Sequence, residues 1–212
     1  MKIYVLRHGQ TDWNLEKKIQ GVSDIELNSN GIEQAKQVKE KIKELGIDLI
    51  LCSPLKRAVK TADIINEDEK IEIIYDDRFI ERNFGDFEGL VVTEADIYKS
   101  QILFDTNINY SENNVEPINE LISRITKSLD EIKQKYQDRK VLIITHGALI
   151  RSVNAYFNGI PENGIIDSTG LKNCEIAEFE YKNWNRRNKY ENFIWNRKQR
   201  KNRRYEENYK NS

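Results

Sequence analysis

The sequence predicts an α/β fold whose central sheet is mostly parallel and is covered by helices on both faces. Short apolar runs of strand length alternate along the chain with longer segments in which apolar residues recur at helical spacing. The apolar runs are continuous, which is typical of strands that are buried on both faces of a sheet. The two histidines of the chain, His8 and His146, each follow one of these runs directly.

The first half of the chain gives three strands and two helices. The first strand is KIYVL at 2–6, and the helix at 30–45 has apolar residues recurring along one face. The second strand is DLILC at 48–52, and Ser-Pro then opens the second helix at 55–66. The run IEIIY at 71–75 completes this half as the third strand.

The second half repeats the alternation of helix and strand. A long helix is predicted at 118–136, the strand KVLIIT at 140–145 and a further helix at 147–157. EIAEFEY at 175–181 is the next predicted strand, and YENFIW at 190–195 is a candidate last strand at the edge of the sheet. Strands that alternate with helices in this way favour a mostly parallel sheet.

Composition indicates one domain. The chain has 212 residues, of which 38% are hydrophobic and 33% charged, so it can bury one sizeable core. We divide it into a domain at 1–196 and a basic tail at 197–212, because no repeat and no Pro/Gly/Ser-rich linker interrupts the first segment. No stretch approaches the roughly 18 apolar residues of a membrane span, so we expect a cytoplasmic protein with no membrane partner. Cys52 and Cys174 lack the spacing of a metal site and are predicted to be free thiols.

The tail differs in charge from the domain. It carries seven Lys/Arg and two Glu, a net charge of +5, whereas the preceding residues carry −6. We expect the tail to be exposed, because it has no apolar face. A nucleic-acid binder that works through this tail is one alternative function, but the negative domain argues against nucleic acid as a partner.

Four side chains are predicted to meet at one edge of the sheet. Ligands of parallel sheets bind at the carboxyl ends of the strands, where Arg7, His8 and His146 are placed. Arg57 lies in the first turn of the helix that follows the second strand. Guanidinium groups suit phosphate oxygens, and a neutral imidazole is a nucleophile, so the set predicts a phosphoryl-binding site. We expect Gly9 and Gly147 to allow sharp turns beside the bound anion.

Phosphoryl transfer to a histidine also requires a proton donor for the leaving oxygen. The loop DDRFIERNFGDFEG after the third strand offers five carboxylates, and their positions alone do not choose between them. They are Asp76, Asp77, Glu81, Asp86 and Glu88.

Several motifs in order resemble the histidine phosphatase superfamily, the phosphoglycerate-mutase-like proteins. LRHGQT opens the chain, SPLKRAVKTA spans 53–62 and THGALIR spans 145–151. SDIELNSNGIEQA at 23–35 and NCEIAEFEY at 173–181 are similar to further segments of the family. The resemblance covers nearly all of 1–196 and implies the phosphoglycerate-mutase-like form of the α/β fold.

The resemblance implies a role for each predicted catalytic residue. His8 is implied to be the nucleophile that forms a phosphohistidine, while Arg7, Arg57 and His146 bind the phosphoryl oxygens. Glu81 aligns with the proton donor of the family, which would protonate the leaving alcohol and then activate water.

The remaining implied site residues bind substrate. Asn14 adds a hydrogen bond to the phosphoryl group, and Gln20, Gly21 and Gly147 complete the substrate site. No metal and no cofactor is implied, because fixed cations neutralise the charge of the phosphoryl group.

The resemblance supports both phosphatases and mutases, and the sequence favours hydrolysis. Mutases of the family resemble Glu-x-His-Tyr-Gly after the proton donor and carry a long basic insertion, whereas Glu81 is followed by RNFGDFEG and no such insertion occurs. We therefore expect a phosphatase acting on a small-molecule phosphate monoester. Phosphoglycerate-mutase-type phosphoryl transfer and a non-catalytic binding protein are the alternatives, and the sequence leaves the oligomeric state open.

The substrate body is predicted from the segment that the resemblance places over the pocket. Residues 90–120 contain six acids against one base, Lys99, together with many apolar and aromatic side chains. An acidic cover repels a second anionic group on the substrate. We therefore expect a monophosphate whose body is uncharged and either sugar-like or partly apolar.

Overall fold

One five-stranded sheet lies at the centre of the part of the chain that the computed structural model describes, which is residues 1–92, 101–166 and 170–181. The strands are β1 (Lys2–Arg7), β2 (Leu49–Cys52), β3 (Ile73–Tyr75), β4 (Val141–Thr145) and β5 (Ile176–Glu180). The helices with bounds inside these residues are α1 (Asp12–Leu15), α2 (Ser29–Leu45), α3 (Lys56–Ile65), α4 (Ile118–Lys135) and α5 (Gly147–Asn158).

The sheet is mostly parallel, as predicted. Its strand order is β3-β2-β4-β1-β5, and β5 alone pairs antiparallel, at one edge. The register places Arg7 of β1 opposite Thr145 of β4, and Cys52 of β2 opposite Ile144 of β4. The carboxyl ends of three neighbouring strands therefore finish side by side.

Helices cover both faces of the sheet, which confirms the predicted layers. Val5 of β1 belongs to a buried cluster with Ile125 of α4 and with residues of α5. Leu6 points to the other face and belongs to a second cluster with Ile42 of α2 and with residues of α3. Successive residues of β1 thus face opposite layers, which explains why its apolar run is continuous.

The predicted elements occur with small shifts in their bounds. The third strand is two residues shorter than 71–75, and the helix predicted at 118–136 ends at Lys135. Helix α1 and two 3₁₀ turns, Asp77–Phe79 and Gly85–Phe87, were not predicted, because three or four residues are too few to show a period. The candidate strand at 190–195 and the tail at 197–212 lie outside the described residues.

Two smaller expectations concern the cysteines and the membrane. Cys52 and Cys174 are both free and buried, and burial raises the pKa of the Cys174 thiol to about 12. Within the described ranges, no helix combines the length and the apolar character that a membrane span needs.

Candidate active site

The two histidines meet at the carboxyl ends of neighbouring strands. His8 follows β1 and His146 follows β4, and the centres of their rings are 5.1 Å apart. The backbone N–H of His8 donates to the carbonyl of Thr145 at 3.0 Å, which extends the strand pairing to the site. Both side chains are buried. The predicted convergence of the histidines therefore occurs in the fold.

His8 is held as a neutral imidazole. Its Nδ1 lies 2.7 Å from the carbonyl oxygen of Gly9, which only accepts, so Nδ1 carries the proton and Nε2 keeps its lone pair. Burial, followed by the charges of Arg57 and Arg7, lowers the pKa of His8 well below its usual value. A buried imidazole in this state is a nucleophile at neutral pH.

His146 is fixed at both ring nitrogens. Arg57 Nε donates to its Nδ1 at 3.1 Å, so its proton resides on Nε2, which donates to Ser53 Oγ at 2.8 Å. Burial, with Arg57 as the next cause, lowers the pKa of His146 well below its usual value. His146 must therefore exchange one of these bonds in order to contact a phosphoryl oxygen directly.

Arg57 is the most enclosed cation of the site. It is fully buried, and its two terminal nitrogens donate to the carbonyls of Ser23 and Gly21, each at 2.7 Å. Burial lowers the pKa of Arg57 to about 10, which leaves it charged at neutral pH. Gly21 has φ of +55°, and a Cβ there would lie 1.9 Å from the Glu88 carboxylate. Gly21 thus allows the chain to turn tightly over Arg57.

Arg7 is half-buried and only partly satisfied by the protein. Its Nη1 donates to the carbonyl of Leu171 at 2.8 Å, while its buried Nε finds no partner among the described residues. Burial lowers the pKa of Arg7 from its usual value. A buried N–H without a partner is costly, so this donor suits a bound anion.

Glu81 is buried against the start of α5. Its carboxylate accepts hydrogen bonds from the backbone N–H groups of Ala148 at 3.0 Å, Leu149 at 3.1 Å and Arg82 at 3.0 Å. The charge of Glu81 also raises the pKa values of Arg7 and Arg57 against the effect of burial. Glu81 therefore belongs to the same electrostatic cluster as the two arginines.

The other carboxylates of the loop have different partners. Asp76 pairs with Arg78 at 2.7 Å, and Asp77 and Asp86 are exposed. Glu88 accepts from the backbone of Val22 and from the Ser23 hydroxyl, so it holds the neighbouring loop. Of the five carboxylates, Glu81 alone is buried and raises the pKa values of both Arg7 and Arg57, whereas Glu88 affects Arg57 only.

The side-chain amides of Asn14 and Gln20 differ in how many of their hydrogen bonds the protein provides. Asn14 Oδ1 accepts from the backbone N–H of Thr11 at 3.1 Å and from Asn173 Nδ2 at 3.2 Å, which orients its Nδ2 as the group able to donate to a ligand. The Oε1 of buried Gln20 finds no partner within the described part of the chain.

The expectation that Gly9 and Gly147 allow sharp turns is wrong. Neither Gly9 nor Gly147 has a positive φ. A Cβ on Gly9 would lie 2.6 Å from the carbonyl oxygen of Gly31, so Gly9 is required by the close approach of α2. A Cβ on Gly147 would meet Arg7 at 3.8 Å, which is an ordinary contact. Gly147 remains next to Arg7 as the first residue of α5.

Two side chains that hold site residues in position were not predicted from the sequence. Asn173 Nδ2 donates to the carbonyl of His8 at 2.9 Å as well as to Asn14. Thr61 Oγ1 accepts from the backbone N–H of Gly9 at 3.0 Å and donates to the carbonyl of Arg57 at 2.7 Å. Both come from distant segments, and their residue types alone carry no signal of such a role.

A side cavity of about 220 Å³ opens beside Arg7. Its wall includes Ile19, Phe104 and Leu171, and its polar side chains are Arg7, Gln20 and Arg151. No carboxylate of the described residues lines it.

The acidic cover predicted from 90–120 is not found in the described part of that segment. Asp105 accepts from the backbone N–H of Asn107 at 2.7 Å, and Glu116 pairs with Arg124 at 2.7 Å. Glu112 and Glu120 are exposed, so none of these four acids faces the side cavity. The charge of a segment in sequence does not reveal which side chains turn inward.

Comparison with known proteins places the chain in a family. The family model described as histidine phosphatase superfamily (branch 1) matches residues 3–193. The chain is 38% identical over 183 residues to the uncharacterized phosphatase PhoE of Bacillus subtilis (strain 168), with 84% of this chain and 88% of that protein covered. It is also 38% identical over 158 residues to phosphoglycerate mutase-like protein 4 of Arabidopsis thaliana, covering 72% of this chain and 69% of that protein.

A solved structure agrees with this placement. A mutant phosphoserine phosphatase from Entamoeba histolytica, in complex with phosphoserine, superposes with a TM-score of 0.73 at 29% identity. The match covers 86% of this chain and 91% of that one.

Proposed function

Because the chain belongs to the histidine phosphatase superfamily, branch 1, we propose that it hydrolyses a small-molecule phosphate monoester through a phosphohistidine on His8. The observation that carries the proposal is the buried imidazole of His8, whose Nδ1 lies 2.7 Å from the carbonyl oxygen of Gly9 and whose pKa is lowered by burial and by the charges of Arg57 and Arg7. Phosphatases among the relatives support hydrolysis, and the phosphoserine in a solved relative supports a small ester as substrate.

The first step transfers the phosphoryl group to the enzyme. The lone pair of His8 Nε2 attacks phosphorus, and the bond from phosphorus to the ester oxygen breaks. Glu81 receives the proton that the bound ester carries and passes it to that oxygen, which leaves as an alcohol. Arg7, Arg57 and His146 bind the phosphoryl oxygens, and Asn14 donates one further hydrogen bond.

The second step restores the enzyme. Glu81, now a carboxylate, takes a proton from water while the water oxygen attacks phosphorus. The bond between Nε2 and phosphorus breaks, which releases inorganic phosphate and returns His8 to its neutral state. The fixed cations supply the charge neutralisation, so we propose that turnover needs no metal.

Mutase-type transfer is the second candidate, because one relative is called phosphoglycerate mutase-like. A mutase and a phosphatase share the first step and differ in what accepts the phosphoryl group. Release of inorganic phosphate at the rate of substrate loss distinguishes hydrolysis from transfer. A non-catalytic protein would give neither product.

The phosphohistidine can be trapped directly. Brief exposure to a ³²P-labelled monoester should label the protein with an acid-labile, alkali-stable bond at His8. The chain has only two histidines, so His8→Ala and His146→Gln form a matched pair. His8→Ala should lose both label and turnover, whereas His146→Gln should keep label on His8 at a reduced rate.

Two results would contradict the proposal. Activity above a trace in His8→Ala would exclude His8 as the nucleophile. Loss of wild-type activity in EDTA, with recovery on adding a divalent cation, would show that the arginines alone do not neutralise the charge of the phosphoryl group.

A further inference from the structure

Arg151 is a second cation that lines the side cavity besides Arg7. Arg151 lies one helical turn after Gly147 on α5, and both residues line the cavity that Arg7 enters. The guanidinium carbon of Arg151 lies 3.9 Å from the centre of the Phe104 ring, and its Nη1 donates to the carbonyl of Ile166 at 3.4 Å. Stacking on a buried ring holds a guanidinium in one plane.

A guanidinium in this setting suits an anionic oxygen group. It presents five N–H donors in a planar fork, so it can bind a carboxylate or phosphate while it keeps bonds to protein groups. Among the described residues that line the cavity there are two guanidinium groups and no carboxylate, so the charge of these residues attracts an anion. The apolar wall also strengthens attraction between opposite charges.

Gln20 adds a second, independent indication of a ligand. Its side chain lines the same cavity, is only 9% exposed and has an Oε1 without a partner among the described residues. A buried acceptor that lacks a donor is unfavourable, because it has lost its hydrogen bonds to water. A hydroxyl or amino group on the bound molecule would supply that donor.

We infer that Arg151 determines specificity by binding an anionic group on the body of the substrate, with Gln20 accepting from a neighbouring hydroxyl or amino group. This rests on the proposed function and names its substrate class: small phosphate monoesters that carry a second acidic group. It replaces the uncharged body expected from the sequence. The volume of the cavity favours a body of a few carbons, for which a carboxylate is the natural acidic group.

A pair of substrates isolates the anionic group. In 3-phosphoglycerate a carboxylate stands where glycerol 3-phosphate has a hydroxymethyl group. We expect kcat/KM for release of inorganic phosphate to be at least about tenfold higher for the acid, because a hydrogen-bonded charge contributes about 1.5–3 kcal/mol. Fructose 1,6-bisphosphate against fructose 6-phosphate tests phosphate as the alternative anion.

A matched pair of variants assigns the effect to Arg151. Arg151→Met should lower kcat/KM for 3-phosphoglycerate by about 10- to 100-fold and that for glycerol 3-phosphate much less, so their ratio collapses. Arg139, an exposed residue that pairs with Glu72 at 3.1 Å, is the control, and Arg139→Met should preserve the ratio. Arg151→Lys should keep part of the preference, because it keeps the charge and loses the fork.

The inference is overturned if neither anionic substrate is preferred by wild type, or if Arg151→Met keeps the wild-type ratio. The wild-type comparison decides even if the variant does not fold. Preference for the bisphosphate alone, if Arg151→Met abolishes it, would keep Arg151 as the determinant and assign phosphate as its ligand. If wild type hydrolyses no ester, p-nitrophenyl phosphate included, the proposed function fails and this inference fails with it.

Discussion

At the scale of single residues, one amide joins two parts of the candidate active site. Asn173 Nδ2 donates both to the carbonyl of the proposed nucleophile, His8, and to the side chain of Asn14. The second bond helps to fix which end of the Asn14 amide can donate to a phosphoryl group. Asn173 is therefore a positioning residue, which acts on the substrate only through its neighbours.

Replacing Asn173 should impair chemistry more than binding. Asn173→Asp places carboxylate oxygens against two acceptors, so we expect kcat to fall by about tenfold or more, since small displacements of reacting groups are costly. Steady-state kinetics with a double-mutant cycle measures the effect. Because Asn173 acts partly through Asn14, the losses in Asn173→Ala and Asn14→Ala should be less than additive. Fully additive losses would contradict the positioning role. So would a variant that is less stable than wild type but has the same kcat.

At the scale of secondary structure, α2 approaches the loop after β1 without side chains between them. A Cβ on Gly31, in the first turn of α2, would lie 2.1 Å from the carbonyl oxygen of Gln10. On the other side, Gly9 faces the backbone of Gly31. Because Gly9 and Gly31 have no side chains, the backbone of α2 packs directly against the segment that carries His8.

This contact predicts an asymmetric response to two glycine substitutions. Gly31→Ala should lower the free energy of unfolding by about 1–3 kcal/mol, because the added methyl group meets backbone that cannot move aside cheaply. Gly147→Ala is the control: it also lies in the first turn of a helix, yet its Cβ meets nothing closer than 3.8 Å. Denaturant unfolding of both variants measures the difference, and equal stability would show that α2 shifts freely.

The sequence predicted elements better than contacts. Long periodic segments such as α2 and α4 and the continuous strand β4 were placed within a residue or two, because burial imposes the pattern that sequence reveals. Arg57 and the histidines were found because strand ends converge. Asn173 could not be found in this way, since its contacts depend on how a loop 165 residues after His8 folds back.

At the scale of the whole molecule, burial of both histidines couples stability to pH. They are the only histidines in the chain, and each sits in the protein interior beside Arg57. The folded protein keeps them neutral, because burial and the nearby guanidinium charges lower both pKa values. In the unfolded chain each histidine regains a pKa near 6.5.

The direction in which the free energy of unfolding changes with pH follows from the number of protons that the folded and unfolded states bind. Below about pH 6.5 the unfolded chain binds more protons than the folded protein, so the free energy of unfolding must fall as pH falls. This contribution is complete above pH 6.5 and decreases by up to about 1.4 kcal/mol per pH unit for each histidine well below it. Urea unfolding at pH 7.5, 6.5 and 5.5 should show the decline. His8→Asn should remove about half of the slope, because one neutral side chain replaces one proton acceptor. A free energy of unfolding that stays constant over this range would mean that the two histidines bind protons equally in the folded and unfolded states, so the fold would not lower their pKa values.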